Sequence, residues 1–291
     1  MCLIKVKKYL STVPYIGSAF KMKPMVSVVR MAGVIADSSQ MKKAGISYQK
    51  FSKLLDKAFD VPDLKALALV INSPGGAPVQ CALISSQIRK LSEEKEVPVY
   101  AFVEDVAASG GYWLACSGDK IFAQKSSIVG SIGVISASFG LDEFIKKYGI
   151  SRRVYTSGKD KSFLDSFLPE KPNDILRLKK LQAGIHEDFK NWVKDRRGDV
   201  LKGSDKDLME GAFWTGADAL DKGLIDDIGD VSGVMKEMFG EDTKFIEFAP
   251  DKKWLPSFLP FGAARSSLHG DVIIDALDAI ETRGFWARYG L

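Results

Sequence analysis

Residues 64–72, LKALALVIN, form an unbroken apolar run that stops at SPGGAP. A run of that length, bounded by turn residues, reads as a strand buried inside a sheet. VSVVRMAGVI (26–35) reads as an earlier strand turning at Gly33, and VPVYAFV (97–103) and DKIFA (119–123) as later ones. Helical patterns lie between them. Tyr48, Phe51, Leu54, Leu55, Ala58 and Phe59 share one helical spacing, Cys81, Ile84, Ile88 and Leu91 another, and a short helix leads to Cys116. Strands alternating with helices predict βαβ units and a largely parallel sheet, an α/β fold.

Beyond residue 136 the pattern turns helical. Ile175, Leu178, Leu181, Ile185, Phe189 and Trp192 predict a long amphipathic helix ending near Gly198. Shorter helices are expected around 205–210 and 216–223, then a late strand in TKFIEFAP. The organisation expected is a basic lead-in (1–25), one α/β domain (26–250), and a linker with a C-terminal amphipathic helix (251–291). Ile273, Ile274, Leu277 and Ile280 give that last helix its apolar stripe.

Several function classes drop out on composition. Net charge is only +4, with no basic stripe interleaved with aromatics, so a dedicated nucleic-acid binder is not expected. The three cysteines are far apart and form no CxxC, which supports neither a zinc knuckle nor a disulfide framework. Cys81 and Cys116 read as core residues. With two histidines and no HExxH, no metal is expected, and nothing in the sequence calls for another cofactor. Lys5, Lys7, Lys8, Lys21 and Lys23 precede any acidic residue, beside an apolar segment (9–20) interrupted by Pro14. That segment is too short for the roughly 20 residues of a spanning helix. The lead-in therefore predicts peripheral contact with an anionic membrane surface, a plain flexible arm being the alternative. Phe285, Trp286 and Tyr289 fit either a membrane interface or a subunit contact. The expected location is the cytoplasm or the cytoplasmic face of the inner membrane.

The chemistry centres on EDVAASGGYWLACSGDKIFA, where Ser109 stands between two alanines and two glycines. A serine hydroxyl needs an adjacent base to attack a carbonyl at neutral pH. His186 sits on the flank of an amphipathic helix and His269 in an expected surface turn, and neither carries a triad motif. A lysine can serve instead, provided desolvation disfavours its charged form. VYTSGKDKSFLDSF offers Lys159 and Lys161, and the local pattern does not choose between them. An acyl-transfer site also needs donors for the developing oxyanion. Gly75 and Gly76 end one strand and Gly110 follows Ser109 at the end of another. Adjacent parallel strands would bring those N–H groups together.

INSPGG, AASGGYWLACSGDKIFA, GSIGVI and SGKDK, in this order, resemble the signal peptide peptidase A family of Ser/Lys proteases. RRG followed by MEGAFWTGADALDKGLIDDIG continues the likeness, which spans about residues 26–240. The resemblance implies the fold of the Clp protease subunit and the crotonases, a spiral of βαβ units, here with a helical C-terminal region. It implies Ser109 as nucleophile, Lys161 as general base, Gly76 and Gly110 as oxyanion donors, and Ser131 as the residue that orients the lysine. Peptides are then the substrates. Because this chain carries one copy of a unit that larger members carry twice, a homo-oligomeric ring is expected to complete the site. The family's usual N-terminal membrane anchor is not evident in residues 1–25.

Three rivals stand beside this reading. A crotonase-like acyl-CoA enzyme would need carboxylates, and only Glu104 and Asp105 lie near Ser109 in sequence, where they read as closing a strand. A Clp-type Ser/His/Asp peptidase lacks a histidine between Ser109 and His186. A catalytically silent oligomeric scaffold would have no use for the Ser109, Lys161 and Ser131 set. No P-loop is present, and the nucleophile context is not GxSxG.

Overall fold

The computed structural model describes residues 23–37, 45–158, 160–250 and 282–291. The run 64–72 becomes β4 (Leu64–Ser73), flanked on its two sides by β1 (Met25–Ala32) and β5 (Val99–Ala108), all parallel. The sheet continues outward through β10 (Lys244–Phe248) beyond β1, and through β6 (Lys120–Ala123) and β9 (Asp227–Ile228) beyond β5. β7 (Ile128–Gly130) pairs with the last part of β5 and carries the one antiparallel neighbour in this sheet, β8 (Phe213–Thr215). A short parallel pair, β2 (Val34–Ile35) with β3 (Gly45–Ile46), lies at the end of β1.

Strand alternation explains why β4 is apolar throughout. Leu67, Leu69 and Ile71 face a core filled by α1 (Tyr48–Phe59) and α2 (Pro78–Lys95) through Phe51, Leu55, Ile84 and Ile88. Ala66, Ala68 and Val70 face the other way, against Val26, Val28, Phe102 and Met235 of α8 (Val231–Phe239). A strand covered on both faces has no solvated side for polar residues to occupy. Local chemistry sets the ends of the helices. The Ser47 hydroxyl accepts the Lys50 N–H at the start of α1, and Pro78 opens α2 at a position where no N–H is needed.

The C-terminal half of the domain differs from the sequence expectation in extent. The long helix is α5 (Pro172–Arg197), whose buried residues are Asp174 in the first turn and Phe189, Val193 and Arg197 in the last turns. Leu181 and Ile185, expected on its buried face, are exposed. Phe139, Phe144 and Tyr148, in the segment around α4 (Asp142–Lys147), are exposed as well. The two short helices are tighter than their patterns imply: α6 (Asp205–Leu208), closed by a Ser204–Asp207 capping box, and α7 (Gly216–Asp221), capped by Thr215. Glu104 and Asp105 do not close β5 but sit within it. Glu104 pairs with Arg30, and Asp105 accepts from the Asn72 amide. The lead-in up to residue 22 and the C-terminal stripe Ile273–Ile280 lie outside the described residues.

One buried ion pair ties α5 to the sheet. Arg197 donates to Asp226 at 2.6 Å and to the Gly223 carbonyl, while Asp226 also accepts the Ile121 N–H at 2.7 Å. Removing one partner of a buried pair strands the other charge, at a cost of about 3 kcal/mol or more. Arg197→Ala is expected to lose that much stability in a urea titration. A loss below about 1 kcal/mol would mean the pair contributes only as a surface bridge does.

Candidate active site

Three neighbouring parallel strands end at one place. β4 and β5 are in register at Ser73 and Ala107, and β5 and β7 at Ala108 and Gly130. Their continuations are Pro74–Gly75–Gly76, Ser109–Gly110–Gly111 and Ser131. Ligand sites of parallel α/β sheets form at these carboxyl ends. Every residue named for the site except Lys161 converges here.

Ser109 joins β5 to α3 (Gly110–Ala115) with φ 52° and ψ −121°. A non-glycine residue held at positive φ stores roughly 1–3 kcal/mol of strain and persists only where its surroundings fix it. Two backbone bonds do so: the Ser109 N–H donates to the Gly130 carbonyl at 2.8 Å, and its own carbonyl accepts the Trp113 N–H at 3.0 Å. The hydroxyl makes no hydrogen bond among the described residues, and the residue is half-buried.

Glycine is required around it by close approach. A Cβ on Gly75 would fall 2.8 Å from the Ser109 Cβ and 3.0 Å from the Gly110 nitrogen. A Cβ on Gly110 would fall 3.2 Å from the Gly76 nitrogen and 2.6 Å from the Cys81 sulfur. The two N–H groups expected to hold an oxyanion are thus immediate neighbours. Among the described residues neither donates a hydrogen bond. Ile35 bridges this turn by donating to the Gly75 carbonyl at 2.8 Å and accepting from the Ala77 N–H at 2.7 Å, which leaves the intervening Gly76 N–H facing away. Gly110 opens α3, where first-turn N–H groups have no intrahelical acceptor. Gly110→Ala should therefore lower turnover at least ~100-fold, since the methyl enters the space between the donors. Adding Cys81→Ala should recover stability but not rate, because the sulfur clash is relieved while the methyl remains beside Gly76. Recovery of rate in the double variant would place the oxyanion elsewhere.

Ser131 also has positive φ, 53°, and is held by its N–H to the Ala212 carbonyl at 2.6 Å. Its hydroxyl is 3.2 Å from the hydroxyl of Tyr289, which lies 3.5 Å from the Pro74 carbonyl and packs edge-on against Phe213. The C-terminal turn thus meets the ends of β4 and β7 in its own chain through Tyr289. Lys161 is exposed, in a turn where its N–H donates to the Gly158 carbonyl. No described hydrogen bond joins it to Ser109 or Ser131. Lys159 falls outside the described residues.

The remaining candidates are accounted for. Cys81 and Cys116 are fully buried, and burial pushes each thiol up to about 12, so both stay protonated core groups. His186 is not a free surface histidine. Its Nε2 lies 2.6 Å from the Met209 carbonyl and 3.2 Å from the Ile132 carbonyl. Both partners only accept, so Nε2 carries the proton and is not a base for Ser109. No sequence signal points to this role. His269 lies outside the described residues. Glu104 and Asp105 are engaged with Arg30 and Asn72, which leaves the acyl-CoA reading without free carboxylates at this point. Among the described residues no cluster of His, Cys, Asp and Glu is arranged to hold a metal ion, and no helix is long and apolar enough to cross a membrane.

Comparison with known proteins bears on this geometry. A Brucella abortus protein named Na(+)/H(+) antiporter NhaA is 46% identical over 91% of this chain, but the match covers only 37% of that protein. Protease 4 of Haemophilus influenzae is 30% identical over 78% of this chain and 36% of its own length. The chloroplastic serine protease SPPA of Arabidopsis thaliana is 30% identical over 72% of this chain and 31% of its own length. The chain thus spans between 31% and 37% of the length of each of these relatives. The antiporter name stands apart from the two protease names, and it belongs to a protein most of which lies outside the match. The family model described as Peptidase family S49 matches residues 92–243, a stretch that contains Ser109, Ser131 and Lys161. With that match over half its length, and with the strand ends arranged as above, the chain belongs to peptidase family S49.

Proposed function

We propose that this protein is a serine endopeptidase that uses Ser109 and Lys161 on hydrophobic peptides, signal peptides among them. The observation that carries the reading is the strained Ser109 beside two glycine N–H groups that donate no hydrogen bond among the described residues. In the proposed reaction the Lys161 amine takes the Ser109 proton as Oγ attacks the scissile carbonyl carbon. The Gly76 and Gly110 N–H groups stabilise the oxyanion, the lysine returns the proton to the leaving amine, and water then hydrolyses the acyl-enzyme.

The exposed position of Lys161 supports a site shared between copies. The segment between β7 and α5 that carries Lys161 also carries Phe139, which is 83% exposed, and Tyr155, which is 91% exposed. Large apolar side chains left uncovered together in one segment are read as an interaction surface. A ring in which this region of one copy lies over the cleft of the next would cover those side chains. It would also bring Lys161 to a neighbour's Ser109 and remove the lysine from water, as a lysine base requires. The lysine-rich lead-in is read as a peripheral contact with an anionic membrane surface.

Incubation with signal-peptide-like peptides and with acyl-CoA thioesters, followed by mass spectrometry, tests the reading. Internal cleavage of peptides with thioesters intact is expected. Thioester turnover without peptide cleavage would overturn it in favour of an acyl-CoA enzyme.

A further inference from the structure

The loop after β7 has two functions at once. Its Gly130 carbonyl receives the Ser109 N–H, and the next residue is Ser131 at φ 53°. A loop in this conformation needs to be fixed from outside, because Ser131 would relax toward negative φ if released. One side is held by the segment before β8: Ala212 accepts from Ser131, and the Gly211 N–H donates to the Ile132 carbonyl at 3.0 Å. The other tie is made by a side chain. His186 projects from α5 and its Nε2–H reaches the carbonyls of both Ile132 and Met209. It therefore fastens the loop and the segment facing it to the same helix.

We propose that His186 is a positioning residue for the site, acting through Ile132 to hold Gly130 and Ser131 against Ser109. The proposal rests on the reading of Ser109 as nucleophile and Ser131 as its companion. Its physical content is separable from that reading. Without the Nε2 donor, the Ile132 carbonyl loses one of its two partners and the Met209 carbonyl loses the only hydrogen bond described for it. The loop can then shift by a fraction of an ångström, and misplacement on that scale costs rate rather than ground-state binding.

His186→Leu removes the donor at similar bulk, and His186→Gln retains an amide N–H near the Nε2 position. The leucine variant is expected to lose about 10- to 100-fold in kcat with KM within about threefold, while the glutamine variant keeps at least about a third of the wild-type kcat. Hydrogen exchange followed by NMR gives a readout that does not depend on turnover. The Ser109 and Ser131 amides should exchange at least about tenfold faster in His186→Leu, with amides of β1 and β4 unchanged. Unchanged exchange at both serines would overturn the proposal whether or not the protein cleaves peptides. Equal losses of kcat in the two variants, or a change confined to KM, would also overturn it. Faster exchange in a protein that cleaves no peptide would support the tie and count against the peptidase reading alone.

Discussion

Replacing Ser109 with alanine is expected to lower peptide hydrolysis by about 10⁴-fold or more while leaving the fold intact. The size follows from the role: a nucleophile and its base act as one unit, so removing either removes most of the catalysis. The intact fold follows from the structure. The hydroxyl has no described hydrogen-bond partner, so its loss leaves no buried group unsatisfied. The positive φ is no worse for alanine than for serine, and the N–H to Gly130 is unaffected. Initial rates on a fluorogenic peptide, with thermal unfolding in parallel, check both parts. A variant retaining about a tenth of the rate would remove Ser109 from the mechanism, and a collapsed melting temperature would mean that the elbow is structural.

Lys161→Ala is expected to be equally damaging, and Lys159→Ala to cost about threefold or less. The more telling result comes from combining two dead proteins. In a head-to-tail ring each cleft meets the Lys161 segment of a different copy. Mixing Ser109→Ala with Lys161→Ala subunits, under conditions that let rings reassemble, should restore about a quarter of wild-type activity, because a random neighbour pair carries both intact residues that often. Restoration would explain why Lys161 is exposed and unpartnered in a single copy. No restoration, with both variants dead and rings formed, would put the lysine in the same chain as its serine.

Much of the site is legible in the sequence, and the reason is physical. Gly76 and Gly110 lie just past strands whose apolar runs are clear, so naming those strands places their loops, whereas Ser131 follows the three-residue β7, which has no such run, and is reached only through the family resemblance. The family motifs also contain residues with no catalytic part. Asp119 accepts the Val99 N–H and pairs with Arg89, and Asp226 holds Ile121 and Arg197, so SGDK and LIDDIG are structural joints. The roles of His186 and Tyr289 are not legible in this way. Each acts through backbone carbonyls or a single hydroxyl contributed by a distant element, and no periodicity in a helix reports what lies opposite one of its residues. The exposure of Leu181 and Ile185 is hidden for a related reason: an apolar stripe predicts that a face is covered, not by which molecule.

The central claim is that Ser109 is an activated nucleophile, and covalent labelling tests it most directly. The protein is treated with a fluorophosphonate, digested, and the adduct located by mass spectrometry. One adduct is predicted, on Ser109 Oγ, absent from Ser109→Ala and at least ~100-fold slower in Lys161→Ala. An adduct on another serine, or undiminished labelling of Ser109→Ala, would contradict the account.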